Sequence, residues 1–294
     1  MNKNIFNAQG KSMSEQQRHL VFKVLGLCAL GLLLASTGAQ AQAQAQSLQL
    51  PALKQAEQTT LMQEAQAQYQ RYAAAPDTFF SIGEAKKTEW PCKVSAAQLD
   101  ELTGISNYKS GSGASGYGHS YSDVSIHPVT ATCKGGKLDG QLELVYKAVR
   151  KAWGPAYQNN DQETGRVVAT ISGGKLLHRL ELRKSTDLAK DNTGSQPKST
   201  SVASSAEKPD GDFINSATIL VNGEGQKYFL KRPVKTPHGT RLEKTFYNGT
   251  TLVTVEQTDA IGKPDGIAVS YKGGEEKKSC FKQGKPANLK ACGS

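Results

Sequence analysis

The chain has 294 residues, of which 37% are hydrophobic, and a formal net charge of +10 at pH 7. This length allows one or two domains. The basic residues are mostly interleaved with Asp and Glu and form no dense stripe, so we expect no nucleic-acid partner and only weak attraction to anionic surfaces.

Residues 1–41 are typical of a secretory signal peptide. A basic start precedes an uncharged run at 24–35, and the Ala-Gln-Ala at 39–41 suits cleavage. The run is shorter than the roughly 20 residues that a spanning helix needs, although an uncleaved anchor is the alternative. A start at Met13 gives a signal of ordinary length. We therefore expect a protein of the periplasm of a Gram-negative bacterium, or a secreted one, with a mature net charge of about +7.

Four cysteines remain after this cleavage: Cys92, Cys133, Cys280 and Cys292. An even number in an exported chain predicts two disulfide bonds, with three possible connectivities. The spacing favours Cys92–Cys133 and Cys280–Cys292, because each pair then closes a loop within one half of the chain. Metal ligation is the alternative, but no C-x-x-C or paired-His spacing supports it. We expect no metal and no cofactor.

Residues 42–79 follow as a Gln/Ala-rich segment of good helix formers. Pro51 suits a first helical turn, and Pro76 ends the run. Its apolar stripe is thin. We predict a helical spacer that packs loosely on the rest of the protein, with a partner-binding or self-associating helix as the alternative.

Beyond residue 79 the pattern is mainly β. Leu142, Leu144 and Tyr146 alternate with polar neighbours, and residues 176–183 and 267–271 repeat this alternation, which is typical of half-buried antiparallel strands. Asn-Gly and Pro-Asp-Gly turns separate such strands. The fold class predicted is therefore mainly β: an antiparallel hairpin meander with an N-terminal helical segment.

A segment poor in large apolar residues divides the predicted domain organisation in two. Residues 184–212 contain almost no large apolar side chain, which indicates a disordered linker or long loop. It separates a first β unit at 80–183 from a second at 213–294. Two domains and a single sheet with a long insertion both remain open.

The two β units share a phrase, Gly-Lys-x-Asp-Gly followed by an alternating strand and Tyr-Lys. A Tyr-x-Gly unit also recurs after 24 positions in the second unit. This resembles bacterial MORN-like repeat proteins over residues 236–288 and more weakly over 131–149, although Ala148 stands where the repeat has Gly. The resemblance implies an elongated antiparallel sheet for binding or scaffolding. The structural positions expected from the phrase and the resemblance are Gly136, Asp139, Gly140, Tyr247, Gly249, Asp265, Gly266, Tyr271 and Gly273.

The strongest candidate site lies at residues 104–127. Its glycine-rich first part lacks the Walker spacing and indicates a mobile surface loop. In its second part, His119, Tyr121, Asp123 and His127 share one strand parity, which predicts one polar face; the outer histidines would lie on the order of 26 Å apart, too far to share a metal. The predicted binding residues are Tyr108, Tyr117, His119, Tyr121, Asp123 and His127.

No nucleophile motif is present, and we predict no catalytic residue. We expect an exported binding or scaffold protein that contacts a protein or an envelope polymer through a sheet face and the 104–122 loop. An inhibitor or immunity protein is one alternative. A hydrolase that uses the polar face at 119–127 is the other, and we favour binding over enzymatic activity.

Overall fold

Thirteen antiparallel strands form one sheet in the computed structural model, which describes residues 48–82, 89–110, 116–155, 157–188 and 199–293. Each strand pairs with the next along the chain, as the hairpin pattern predicts, and the mainly β fold class is confirmed. The strands are β1 (Tyr108–Ser110), β2 (Tyr117–Lys134), β3 (Lys137–Gly154), β4 (Tyr157–Ser172), β5 (Lys175–Asp187), β6 (Thr200–Asp210), β7 (Phe213–Asn222), β8 (Gly225–Thr236), β9 (Gly239–Asn248), β10 (Thr251–Thr258), β11 (Pro264–Lys272), β12 (Glu275–Lys282) and β13 (Lys285–Ala287).

Two α-helices, α1 (Ala56–Ala74) and α2 (Ala96–Thr103), and a short 3-10 helix (Leu289–Cys292) complete the described part. Within these ranges, no helix has both the length and the apolar character needed to cross a bilayer. The predicted signal peptide lies outside the described residues.

The two α-helices lie on opposite faces of the sheet. The α2 face carries Leu142, Leu144 and Tyr146 of β3, which form a core with Leu102 of α2. The α1 face carries Ala206, Ala217 and Ile219 among others, which pack against Leu61, Met62 and Ala65 of α1. Because successive side chains of a strand point to opposite faces, the apolar residues of the strands form two separate cores, one on each side of the sheet.

The predicted helix at 42–79 is present as α1, but the structure differs from the loosely packed spacer that we expected. Met62 and Ala65 are completely buried, and Gln68 is 1% exposed. The Ser204 hydroxyl of β6 donates a hydrogen bond to the Ala65 carbonyl at 2.7 Å. Small Ala and Ser side chains let helix and sheet approach closely, so a thin apolar stripe suffices to make α1 part of the core.

The predicted linker at 184–212 also differs. β5 continues to Asp187, and Thr200–Asp210 forms β6, so most of the described residues in this range are strand. Ser204 and Ala206 are fully buried beneath α1. β6 therefore contributes to the core through small residues, which a search for large apolar side chains misses. The two β units are parts of one continuous sheet.

The two Gly-Lys-x-Asp-Gly phrases form the same structure. Gly140 is opposite Ile171 of the next strand and has φ 118°, while Gly266 is opposite Phe281 and has φ 130°. The Asp before each glycine accepts a backbone N–H from the turn that ends the next strand: Asp139 from Gly173 at 3.2 Å, and Asp265 from Gln283 at 3.5 Å. The phrase thus joins the start of one hairpin to the following turn.

The remaining repeat positions lie at or beside turns. Gly136, Gly249 and Gly273 have φ of 74°, 55° and 61° in three tight turns, a backbone region that favours glycine. Tyr247 packs at the edge of the α1-face core. These residues shape the sheet.

Both favoured disulfide bonds are present. Cys92–Cys133 joins the segment before α2 to the end of β2, with Cα atoms 5.7 Å apart, and Cys280–Cys292 joins β12 to the 3-10 helix, with Cα atoms 6.0 Å apart. Two such bonds are consistent with an extracellular or periplasmic location.

Candidate binding site

Four of the six predicted binding residues lie together at the β1 end of the sheet. The ring of Tyr108 is 6.0 Å from that of Tyr117 and 5.9 Å from that of His119, and His119 is 5.7 Å from Tyr121. All four belong to the α2 face, as the pairing of Tyr108 with His119 and of Tyr121 with Arg150 requires. Tyr108 is 48% exposed and Tyr117 46%. We call these four residues the aromatic row.

Gly118 allows Tyr108 and His119 to lie side by side. Gly118 is buried between Tyr117 and His119, and a Cβ there would lie 2.3 Å from the Tyr108 carbonyl oxygen and 2.8 Å from the Trp153 ring. Any side chain at this position would separate β1 from β2. The close approach of the two strands holds Tyr108 beside His119.

The other two predicted residues do not join the aromatic row. Ser122 pairs with Val149 but Ser125 with Lys147, so β2 carries one extra residue between them, and Asp123 has φ 52°. A one-residue bulge reverses the parity of the side chains that follow it, here as far as Pro128, beyond which the register shifts again. The single polar face that we predicted for His119, Tyr121, Asp123 and His127 is therefore wrong.

Beyond the bulge, His127 pairs with Val145 and lies on the α1 face. It lines a small cavity of about 340 Å³ with Phe80 and Lys147. Asp123 is exposed at the bulge, where its carboxylate accepts a hydrogen bond from the Ser122 hydroxyl at 3.3 Å. His119 and His127 thus lie on opposite faces. Among the described residues, no three His, Cys, Asp or Glu side chains are grouped closely enough to hold a metal ion.

The aromatic row runs along β2, and at Tyr121 it meets a line of polar side chains that crosses the strands. Tyr121 of β2 is opposite Arg150 of β3, which is opposite Asp161 of β4, which is opposite Asp187 of β5. Ser199, just before β6, follows Asp187, since its carbonyl accepts the Asp187 N–H at 3.0 Å. We call Arg150, Asp161, Asp187 and Ser199 the polar row. At about 4.8 Å per strand, Tyr121 to Asp187 spans on the order of 15 Å.

The polar row lies along an open cleft of about 730 Å³ on the α2 face. The lining residues are polar throughout: Arg150, Asn159, Asp161, Ser185, Asp187, Ser199, Thr200, Ser201, Asn222, Gly223 and Glu224. Arg150 belongs both to this cleft and to the pair with Tyr121, so the aromatic row and the cleft are continuous.

The polar row carries one cation, Arg150, and two carboxylates, Asp161 and Asp187. A guanidinium nitrogen of Arg150 lies 3.8 Å from an Asp161 carboxylate oxygen. Burial, with the nearby Asp187 carboxylate, raises the pKa of Asp161 above its ordinary value against the opposite effect of Arg150. The cleft lining adds Glu224, so the cleft presents hydrogen-bond donors and acceptors with an excess of carboxylates.

A buried network next to the polar row anchors it. Tyr146 donates a hydrogen bond of 2.5 Å to Glu181, and Arg183 binds Glu181 at 2.8 Å and Glu163 at 3.4 Å. Glu163 is also 3.9 Å from Arg150. The position of Arg150 is thus set by two carboxylates, one buried and one in the cleft.

The same network holds α2 on the sheet. Arg183 donates to the Thr103 carbonyl at 3.1 Å, and Arg179 to the Glu101 and Leu102 carbonyls at 2.8 and 3.1 Å. These are carbonyls of the last helical turn, where cations are favourable. A glycine completes the packing, because a Cβ on Gly165 would lie 2.2 Å from the Tyr146 ring.

The pKa values of the two carboxylates of the network are shifted in opposite directions. It raises the pKa of Glu163 despite Arg183 and Arg150. For Glu181, burial is outweighed by Arg183, Arg179 and the Tyr146 hydroxyl together, so its pKa lies below the ordinary range. Glu181 is the ionised centre of the network.

The sequence patterns described above did not indicate the polar row, the buried network or α2. The signal for α2 was present: Ser95 and Gln98 form a capping box, in which each side chain accepts from the other residue's backbone N–H. Arg179, Glu181 and Arg183 lie in the alternating stretch at 176–183, but the alternation does not indicate that Glu181 is buried. Comparison with protein-family models, with curated proteins and with solved structures gives no match, and the resemblance to MORN-like repeats stays a prediction.

Proposed function

We propose that this protein is an exported binding or scaffold protein, and that it contacts a protein or envelope polymer through the α2 face where the aromatic row meets the polar row. The observation that carries the proposal is the row of aromatic rings beside an open polar cleft on a rigid sheet. Exposed tyrosines supply large contact area at low entropic cost and are enriched in binding surfaces.

The placement of these residues also supports binding. Tyr108 and Tyr117 are nearly half exposed, yet the backbone beneath them is fixed by the pairing of β1 with β2. Tyr121 is anchored through its backbone N–H, which donates to the Asn107 side chain at 2.9 Å. Such a surface is largely formed before the ligand arrives, so little ordering opposes binding.

The test is capture from a cell-envelope extract under mild crosslinking. We expect the wild-type protein to capture a ligand that the Tyr108→Ala/Tyr117→Ala double variant loses. Phe229→Ala is the matched control, because Phe229 is 37% exposed on the same face but outside both rows. The proposal is overturned if nothing is captured, or if the double variant captures as well as the wild type.

The same experiment separates the alternatives. An inhibitor or immunity protein would yield a single, tightly held protein. The hydrolase alternative was based on the 119–127 face, and His119 and His127 lie on opposite faces of the sheet. Release of a shortened product from the captured ligand would support the hydrolase alternative.

A further inference from the structure

We propose that the cavity beside the first Gly-Lys-x-Asp-Gly phrase binds a phosphate monoester group, held by Lys93, Lys134 and Lys137. This site is separate from the proposed binding face, because Lys134 ends β2 whereas the aromatic row lies at the start of that strand. The cavity measures about 710 Å³, so it has room for a phosphate and for part of the molecule that carries it.

The three lysines are neighbours in the backbone pairing. Lys134 is opposite Lys137 across the hairpin turn, and Lys93 forms a parallel bridge to Lys137. The Lys93 N–H donates to the Gly136 carbonyl at 2.9 Å, which fixes this bridge. Because neighbouring strands lie about 4.8 Å apart and the side chains of paired residues point the same way, the three lysines stand in one row. All three line the cavity.

The charges of this lysine row are not balanced by its surroundings. Like charges at directly opposite strand positions destabilise a sheet. Among the described residues, the lysines that form ion pairs are Lys208, Lys227, Lys244 and Lys278. Asp139 is the one acidic residue of the cavity lining, and its carboxylate accepts the Gly173 N–H at 3.2 Å. The lining therefore holds three cations and one anion, an excess that a dianion would neutralise.

The second copy of the phrase lacks such a row. Across its turn, Lys263 faces Asp259, whose side chain accepts the Lys263 N–H at 2.8 Å. Asp265, which corresponds to Asp139, forms an ion pair of 2.7 Å with Arg241. The same phrase is thus surrounded by balanced charges in one copy and by a row of like charges in the other. The hairpin therefore does not require a lysine opposite the lysine of the phrase.

A phosphate monoester matches the lysine row in charge and in shape. It carries about two negative charges at neutral pH and presents three acceptor oxygens, one for each ammonium group. Carboxylate and sulfate ester groups carry a single charge. Lysine binds phosphate as a point charge on a flexible stem, so three stems that start about 4.8 Å apart can converge on one phosphate group.

Two features hold the cavity in shape. The Cys92–Cys133 disulfide bond directly precedes Lys93 and Lys134 in the chain, so it fixes the backbone of both outer lysines. The capping box of α2 also borders the cavity, and the partial positive charge of the helix N-terminus has the same sign as the lysines. The backbone of the site is therefore fixed in advance, which lowers the entropic cost of binding.

The test measures the binding of glycerol 3-phosphate to the protein expressed from the whole sequence, by calorimetry at constant ionic strength. Glycerol lacks the phosphate and methyl sulfate lacks the second charge, so they are the controls. We expect glycerol 3-phosphate to bind, methyl sulfate to bind at least about tenfold more weakly, and glycerol not to bind.

Vesicles of phosphatidylcholine, with and without phosphatidic acid, identify the source of the phosphate. Binding that requires phosphatidic acid and the lysine row supports the proposal with a lipid headgroup as the ligand. Binding of glycerol 3-phosphate without binding to these vesicles supports it with a soluble phosphate ester.

Variants assign the binding to the lysine row. Lys134→Met/Lys137→Met keeps the aliphatic stems and removes two charges, so we expect binding about tenfold or more weaker. Glycerol 3-phosphate should raise the midpoint of thermal unfolding of the wild type but not of this variant. Lys263→Met is the matched control in the second phrase. It should leave the affinity within about twofold, because distant surface charges are screened.

The inference is overturned if neither glycerol 3-phosphate nor the phosphatidic acid vesicles bind, if methyl sulfate binds as tightly as glycerol 3-phosphate, or if the double variant retains the wild-type affinity. Without ligand, the double variant should be at least as stable as the wild type, because it removes a contact between like charges. A clear loss of stability would instead show that the lysines stabilise the fold, and would also contradict the proposal. None of these outcomes affects the capture experiment on the aromatic row.

Discussion

The same Gly-Lys-x-Asp-Gly phrase begins β3 and β11, but the surroundings of the two strands differ. β3 alone contributes seven buried apolar side chains, and α2 covers its face. From β9 to β13, the described residues that are buried are Leu242, Thr258, Asp265 and Cys280. Identical hairpin geometry is thus stabilised by a core in one region, and by turns, ion pairs and a disulfide bond in the other. The candidate site lies in the region with the core.

The largest effect is expected from the buried network of the first region. Glu181→Gln removes the carboxylate that binds Arg183 and accepts from Tyr146, and leaves a buried guanidinium without its main partner. We expect a loss of about 3–5 kcal/mol in the free energy of unfolding, measured by urea denaturation.

Glu163→Gln is the matched control for this variant, because Glu163 also binds Arg183 but has a raised pKa. Its ionised form is disfavoured by folding, so we expect a loss of no more than about 1 kcal/mol at neutral pH. Equal losses for the two variants would contradict the assignment of Glu181 as the centre of the network.

Removal of each disulfide bond in turn compares the stability of the two regions directly. Cys92 and Cys133 are 41 residues apart, and Cys280 and Cys292 are 12 apart. Loop-closure entropy predicts losses of about 4 and about 3 kcal/mol when each pair is replaced by serine. Hydrogen exchange should show that loss of Cys280–Cys292 increases exchange mainly in β11–β13, since few buried side chains hold these strands. Uniform exchange across the sheet would instead show that the second region shares the stability of the first.

A single methyl group tests the packing of the first region. Gly165→Ala places a Cβ against the Tyr146 ring, and we expect it to cost about 2 kcal/mol through overpacking. Gly223→Ala is the control, because a Cβ there meets no atom within 4 Å. Thermal unfolding measures both variants. The close contact at Gly165 would be refuted if the two lost the same stability.

The smallest effect is the pH dependence of the first region. Glu163 has a raised pKa, so its cost to folding is relieved as the pH falls through that value, and stability rises slightly. Glu181 has a lowered pKa, so the stability that it supplies is present above the ordinary glutamate range and is lost as the pH falls below it. We expect both changes to be smaller than the losses predicted for the disulfide bonds and for Gly165→Ala. Glu163→Gln should abolish the rise in stability but leave the acid loss.

Sequence patterns predicted the meander well, because strands with large apolar residues alternate and most turns between strands carry Gly. They failed at β6, where Ser204 and Ala206 fill a narrow space beneath α1 and carry no hydrophobic signal. For the candidate site, strand parity correctly placed His119 and Tyr121 of β2 on one face. The polar row was not predictable in this way, since Arg150, Asp161 and Asp187 come together only through the register of three strands.

The bulge at Asp123 predicts where β2 accepts the loss of a residue. Asp123 and Val124 together lie opposite Ala148, because Ser122 pairs with Val149 and Ser125 with Lys147. Loss of one codon at position 123 or 124 would remove the bulge and keep Ile126 on the α2-face core, whereas loss of a codon elsewhere between positions 118 and 127 would turn part of the strand over. A deletion scan of β2 should therefore find its tolerated deletion at the bulge, and would locate the bulge without a structure.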